Sequence, residues 1–156
     1  MKKIGIAVTA LMVVLLLCLT GCNTNFKFED LALSSEVVSE ISVTYGKDMK
    51  VTSNVAKIDN VINELNGLDI EKFKDKVTDN VFSDSVVGKI TMQIKDKEGS
   101  FTMIFVETVV NGEKVSLLKC DTTDGLKIKK LSKGIYKMES TTTTNAMLNK
   151  IFANCI

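Results

Sequence analysis

The sequence predicts an α+β domain in which an antiparallel sheet of about five to six strands carries two helices packed on one face. Three observations predict this class. Apolar and polar residues alternate in several short segments, Asn111-Gly112 separates two of these segments, and two further segments repeat apolar residues at helical spacing. A mostly apolar face on such a sheet needs a cover, and two amphipathic helices supply it.

The chain begins with a segment typical of a signal peptide, predicted as an N-terminal signal helix over residues 1–21. Lys2 and Lys3 provide a positive charge, and the stretch from Ile4 to Leu19 contains no charged residue. Such a stretch is slightly short for a helix that crosses a membrane, which needs about 17–25 residues. Small residues then precede Cys22, as a signal-peptidase cleavage site requires.

The residues Leu19, Thr20, Gly21 and Cys22 resemble the lipobox of bacterial lipoproteins, an apolar residue followed by two small residues and a cysteine. The resemblance implies that the Cys22 sulfur receives a diacylglyceryl group and that the chain is cut after Gly21. Acyl chains such as palmitate would then hold the protein on the extracytoplasmic face of the cell membrane, since each buried methylene contributes about 0.8 kcal/mol. The alternative is an uncleaved anchor with Cys22 present by chance.

After the leader, residues 22–35 are predicted as a short tether and residues 36–156 as a single α+β domain. The mature length suffices for one hydrophobic core. The tether is not rich in Gly or Ser, and its apolar residues indicate that it packs partly on the domain. These residues are Phe26, Phe28, Leu31 and Leu33.

The first half of the domain predicts a hairpin followed by a helix. Ile41, Val43 and Tyr45 alternate with polar residues, and Gly46-Lys47-Asp48 turns the chain into a second short strand with Met49 and Val51. Ser53-Asn54 provides an N-cap for the helix, and Asn66-Gly67 ends it. Its apolar residues are Val55, Ile58, Val61, Ile62 and Leu65.

The second half predicts an antiparallel meander that ends in a helix. Residues 68–77 are ambiguous and residues 78–88 read as a loop. Strands are then predicted at residues 90–94, 101–110, 115–120, 126–131 and 135–139. Asn111-Gly112 favours a type I′ hairpin turn. Ser140 and the four Thr residues after it are predicted as a loop that caps a helix over residues 145–155.

The mature chain also resembles small uncharacterised lipoproteins of low-GC Gram-positive bacteria across most of residues 37–153. The resemblance is one of pattern, and it brings no catalytic residues. It is carried by the segments ISVTYG, KIDNVINELNGLDI, GKITMQIKDKEGSFTMIFV, GIYKMES and NAMLNKIF.

The charge and composition exclude several classes of function. Residues 22–156 carry 18 Lys and 19 acidic residues, a balance that gives no reason to expect nucleic acid as a partner. The chain has no Arg and therefore no bidentate guanidinium for phosphate. It has no His either, so we expect no imidazole metal site and no cofactor.

Few residues suggest chemistry. Ser116 and Lys119 match the S-x-x-K spacing of penicillin-binding enzymes, but in a strand their side chains would point to opposite faces. The carboxylate pairs Asp79/Asp84 and Asp121/Asp124 fit solvated loops and turns better than a calcium or acid–base site.

Cys120 and Cys155 form a candidate disulfide that an exported location would permit. The alternative is a pair of buried small hydrophobic residues. With only these two cysteines after Cys22 and no histidine, the sequence gives no reason to expect a zinc site.

The leading functional hypothesis is a non-enzymatic, membrane-anchored domain that binds an envelope protein or another envelope component. A first alternative is an inhibitor or immunity-type partner of an exported hydrolase, which would present residues 78–88 to a cleft. A second alternative is an envelope enzyme that uses carboxylates or Ser with Lys.

Overall fold

The structure is a computed structural model, and it describes residues 25–96, 98–123, 134–138 and 141–154. Eight strands and three α-helices follow one another in these ranges. The strands are β1 (Asn25–Lys27), β2 (Val38–Tyr45), β3 (Asp48–Thr52), β4 (Asp69–Lys72), β5 (Val86–Ile94), β6 (Ser100–Val110), β7 (Glu113–Thr122) and β8 (Gly134–Met138). The helices are α1 (Val55–Asn66), α2 (Val81–Asp84) and α3 (Thr141–Asn154), and a 3-10 turn spans Phe28–Leu31.

All eight strands join one antiparallel sheet in the order β1-β4-β8-β7-β6-β5-β2-β3. The α+β class and the antiparallel sheet agree with the sequence prediction, whereas the sheet has more strands than the five to six expected. One extra strand, β1, lies in the segment predicted as a tether, and another, β4, lies in the ambiguous segment 68–77. The strand predicted at residues 126–131 lies outside the described residues.

Two tight turns join neighbouring strands where the sequence predicts them. Asn111 and Gly112 have φ angles of 53° and 84°, the left-handed values that a type I′ turn requires at both central positions. Gly46 has a φ of 62°, as expected for the first central residue of a type II′ turn. Both turns match the twist of the sheet and fix the register of their hairpins.

Helix α1 forms as its apolar spacing predicts. Asn54 caps its N-terminus, and the Asn54 side chain accepts a hydrogen bond from the Lys57 backbone N–H at 3.2 Å. Ile58, Val61 and Leu65 lie on its buried face together with Ile62. Gly67 follows the last turn with a φ of −79°, so this glycine ends the helix without a left-handed residue.

Helix α3 begins at Thr141, four positions before the predicted start at residue 145. The threonine run, predicted as a loop, therefore forms the first turn of the helix. Thr144 is fully buried, and its hydroxyl donates to the Met138 sulfur at 3.7 Å. Burial of Thr144 against β8 outweighs the modest helix propensity of threonine, which differs from alanine by less than about 0.7 kcal/mol per residue.

Helices α1 and α3 cover the same face of the sheet, which we call the helix face. Their buried residues share one core with alternate residues of the strands. The strand residues in this core include Ile41, Val43, Ile90, Met92, Phe101, Met103, Phe105, Leu118, Cys120, Tyr136 and Met138. The opposite face, the outer face, carries a smaller cluster built around Phe82, Val106, Val115 and Leu117.

The segment between β1 and β2 is packed on the domain rather than free. Phe28 and Leu31 are buried in the main core. Asp59 on α1 accepts two hydrogen bonds from Ser35, at 2.9 Å from the backbone N–H and at 2.9 Å from the hydroxyl. The packing of this segment is therefore extensive within the described residues, which include the strand pairing of Asn25 with Glu71.

Candidate functional site

The predicted lipidation site lies outside the part of the chain that the structure describes. This applies to Leu19, Thr20, Gly21 and Cys22. The closest described residue is Asn25, the first residue of β1. If Cys22 carries the lipid, only Asn23 and Thr24 separate it from the edge of the sheet.

The S-x-x-K pair does not form a site, as the strand geometry predicts. Both residues lie in β7, and Ser116 is buried on the helix face between its strand neighbours Glu107 and Met138. Its hydroxyl has no hydrogen-bond partner among the residues that the structure describes. Lys119 points to the outer face, where its ammonium lies 3.3 Å from Asp79 and 5.2 Å from the centre of the Phe82 ring. A serine nucleophile and a lysine base on opposite faces cannot act on one substrate.

Of the four carboxylates named from the sequence, three lie in the described residues. Asp79 pairs with Lys119, Asp84 is the last residue of α2, and Asp121 accepts from the Thr122 backbone N–H at 2.8 Å within β7. Asp124 lies outside the described residues. Among the residues that the structure describes, no three His, Cys, Asp or Glu side chains come together as a metal site.

Residues 78–88 form less of a loop than the sequence indicates. Residues 81–84 make the short helix α2, whose Phe82 packs against the outer face, and residues 86–88 already belong to β5. Thr78, Asp79 and Asn80 form an exposed tip. The hypothesis that this segment enters the cleft of a hydrolase stays a prediction.

Cys120 lies in the main core, 1% exposed, and forms no disulfide with any residue that the structure describes; Cys155 lies outside those residues. Burial raises the pKa of the Cys120 thiol to about 12 from an ordinary value of 9.0, because the thiolate would lose its hydration. The pairing of Cys120 with Cys155 stays a prediction.

We expect the Cys120 thiol of a Cys155→Ser variant to resist alkylation by iodoacetamide at pH 8. The reactive species is the thiolate, and burial disfavours both its formation and its encounter with the reagent. Mass spectrometry should detect no adduct on Cys120 in the native protein and complete modification in urea. Rapid modification of Cys120 without denaturant would contradict the buried position.

Strand β3 lies at one end of the described sheet, where it pairs with β2 and with no other described strand. Its side chains alternate between the two faces. Lys50 and Thr52 lie on the helix face opposite Val43 and Ile41, whereas Met49 and Val51 lie on the outer face. Met49 is 67% exposed and Val51 is 49% exposed. We call Asp48–Thr52, with its free side and these two apolar residues, the β3 edge.

The C-terminal part of α3 contacts the β3 edge on the helix face. The Lys50 ammonium donates to the Phe152 carbonyl at 3.3 Å and lies 3.9 Å from the centre of the Phe152 ring. The Tyr45 and Phe152 rings contact each other with centroids 6.0 Å apart. A lysine at the last carbonyls of a helix is favourably placed for the helix dipole. The β3 edge is therefore held in a fixed position relative to α3.

The opposite edge of the sheet differs. Strand β1 has three residues and is followed immediately by the 3-10 turn Phe28–Leu31. A short edge strand that ends in a turn offers little backbone for another strand, which is one of the ways in which proteins prevent unwanted pairing. Of the two edges, β3 is therefore the one suited to interaction.

Fold and site together define an α+β domain in which, among the described residues, one sheet edge is a short strand that ends in a turn and the other is the β3 edge. No protein-family model matches the chain, and neither a curated protein nor a solved structure matches it. Within the described ranges, none of the helices is both long enough and apolar enough to cross a membrane.

Proposed function

We propose that the protein is a lipid-anchored, extracytoplasmic binding domain. The observation that carries this proposal is the order of the first 22 residues: two lysines, an uncharged apolar stretch, and Leu19-Thr20-Gly21-Cys22. In this proposal residues 1–21 form a signal helix that is removed, and Cys22 becomes the lipidated N-terminus of the mature chain. The partners are the membrane and a protein or other component of the cell envelope.

Two features of the domain support a binding role rather than a catalytic one. The residues with reactive side chains that the sequence brings to attention lie on different faces, as Ser116 and Lys119 do. The β3 edge exposes Met49 and Val51 beside backbone that pairs with no further described strand, an arrangement through which sheets take up additional strands. Turnover of an envelope substrate by the purified protein would contradict this part of the proposal.

Metabolic labelling with an alkyne fatty acid tests the anchor. We expect the wild-type protein to incorporate the label and its Cys22→Ala variant to lose it entirely, because only the Cys22 sulfur accepts the diacylglyceryl group. The variant should also retain residues 1–21 when its intact mass is measured. Cys18→Ala is the matched control, since it removes a leader cysteine outside the motif and should leave labelling unchanged.

Equal labelling of the wild-type and Cys22→Ala proteins would overturn the lipid anchor. For the partner, crosslinking in cells followed by mass spectrometry should recover one envelope protein in near-equal amount with the anchored form. The Cys22→Ala form serves as the control for this capture.

A further inference from the structure

The β3 edge is chemically complementary to itself. Its five residues pair with β2 in an unbroken register, so no bulge turns the edge away from a neighbour. The two-residue turn after Tyr45 makes Tyr45 and Asp48 a directly bonded pair. Because backbone groups alternate in direction along a strand, those of Met49 and Val51 then point away from β2. This edge therefore offers both hydrogen-bonding groups and apolar side chains.

We propose that two copies of the chain associate through antiparallel pairing of their β3 strands, with Met49 of one copy opposite Met49 of the other. This register places Asp48 of each copy opposite Lys50 of the second copy, which creates two symmetric ion pairs on the helix face. On the outer face, Val51 lies beside the aliphatic part of Lys47 of the second copy. The pairing is isologous, as a two-fold dimer requires.

Charge selects this register over its neighbour. If Met49 faced Val51 of the second copy, Lys50 would lie directly opposite Lys50, and like charges opposite each other destabilise a strand pair. The hydrogen bond from the Lys50 ammonium to the Phe152 carbonyl keeps this side chain at the edge, so it cannot easily move away from the second lysine. The register centred on Met49 instead pairs each lysine with a carboxylate.

The small area that this contact buries determines the conditions under which the dimer forms. Pairing of two five-residue strands buries far less than the roughly 1,200–2,000 Å² of a stable interface. The dimer is therefore weak in dilute solution and forms where the copies are concentrated on one membrane. In this respect the inference rests on the proposed lipid anchor. The two-fold axis of this dimer passes between the two Met49 residues and is perpendicular to the sheet. When the axis is parallel to the membrane normal, the two copies lie at the same height, and their lipid anchors can insert into the same membrane.

Disulfide trapping of the lipidated full chain in vesicles tests the proposal. Opposed residues of a directly bonded antiparallel pair have Cα atoms about 5.5 Å apart, a distance that a disulfide spans. Met49→Cys should therefore give a covalent dimer under mild oxidation. Val51→Cys should give none, because in this register its partner position is Lys47. Val109→Cys is the matched control, since Val109 is 62% exposed and lies near the β6–β7 turn.

A charge exchange tests the register in the Met49→Cys background. Vesicles that contain only the Asp48→Lys variant, or only the Lys50→Asp variant, should give no trapped dimer, because each variant places like charges opposite one another. Mixing the two variants should restore the dimer, since every lysine then faces a carboxylate. Circular dichroism checks that the Lys50→Asp variant, which also loses its contact with Phe152, remains folded.

Three results would overturn the proposal: no Met49→Cys dimer above the Val109→Cys control, a stronger Val51→Cys dimer, or failure of the mixed copies to recover. These results are distinguishable from failure of the anchor, because a chain without lipid would not sediment with the vesicles. Trapping is scored only on the vesicle-bound fraction.

Discussion

Replacing Gly88 by alanine should lower the free energy of unfolding by about 1–3 kcal/mol, the usual cost of overpacking a core. Gly88 lies in β5 beneath α3. A Cβ atom at this position would lie 3.0 Å from the Thr44 carbonyl oxygen and 3.1 Å and 3.3 Å from the two terminal methyl groups of Leu148. Since a neighbouring backbone oxygen cannot move aside cheaply, α3 or β2 must shift. Urea unfolding followed by circular dichroism measures the effect.

Gly67→Ala is the matched control for this prediction. Its Cβ would meet only the Glu64 carbonyl, at the ordinary contact distance of 3.5 Å, and its φ of −79° suits any residue. We expect the control to leave stability unchanged or to raise it by about 0.4–1 kcal/mol. Wild-type stability of Gly88→Ala would show that α3 does not pack on β5 as described.

The pair Gly88 and Leu148 should also be coupled. Leu148→Ala alone removes a fully buried side chain and should cost about 2–5 kcal/mol. In its background Gly88→Ala should cost less than in the wild-type protein, because two of the three close contacts are gone. If the two substitutions instead lowered the free energy of unfolding additively, the contact with the Thr44 carbonyl alone would account for the cost of Gly88→Ala.

The central part of the fold could be predicted because its periodicity is unambiguous. Ile90, Met92 and Ile94 alternate with polar residues, and the same alternation marks β2. The Asn-Gly turn fixed one hairpin, and Asn54 marked the start of α1. In each of these segments the local preference and the tertiary packing agree, which is the condition under which sequence patterns are informative.

The segments that could not be predicted are those in which packing decides. The four residues of β4 hold a single buried residue, Ile70, so no alternation is visible in the sequence. The threonine run joins α3 because Thr144 is buried against β8. Strand β1 is held by its pairing with β4, a contact between residues far apart in the sequence. None of these contacts leaves a local signal.

Of the two candidate sites, one was recognised in the sequence and the other was found only in the structure. The proposed lipidation motif around Cys22 is contiguous and was recognised by its resemblance to a lipobox, and it stays a prediction. The β3 edge was missed, because alternation of Met49 and Val51 with charged residues suggests a half-buried strand without showing which face is buried. In the structure the charged Lys50 faces α3 and the apolar residues face outward. In addition, β3 is an edge strand only because of the order of the strands in the sheet, and this order cannot be read from a single sequence.

The second large effect is expected at Phe28, in the segment predicted as a tether. Phe28 is 1% exposed and belongs to the main core. Phe28→Ala should therefore lower the free energy of unfolding by about 3–5 kcal/mol. Since a domain of this size is stable by only about 5–15 kcal/mol, the loss should be visible as a large fall in the urea midpoint of a chain expressed from residue 22 onward.

Glu29→Ala is the control for this substitution, because Glu29 lies in the same 3-10 turn with its side chain exposed. It should change the free energy of unfolding by less than about 0.5 kcal/mol. A neutral Phe28→Ala would mean that residues 25–31 are a loose tether, with a domain free to move far from the membrane. A costly one would mean that the folded domain starts within a few residues of Cys22, so that a lipid on this cysteine would hold the sheet close to the membrane surface.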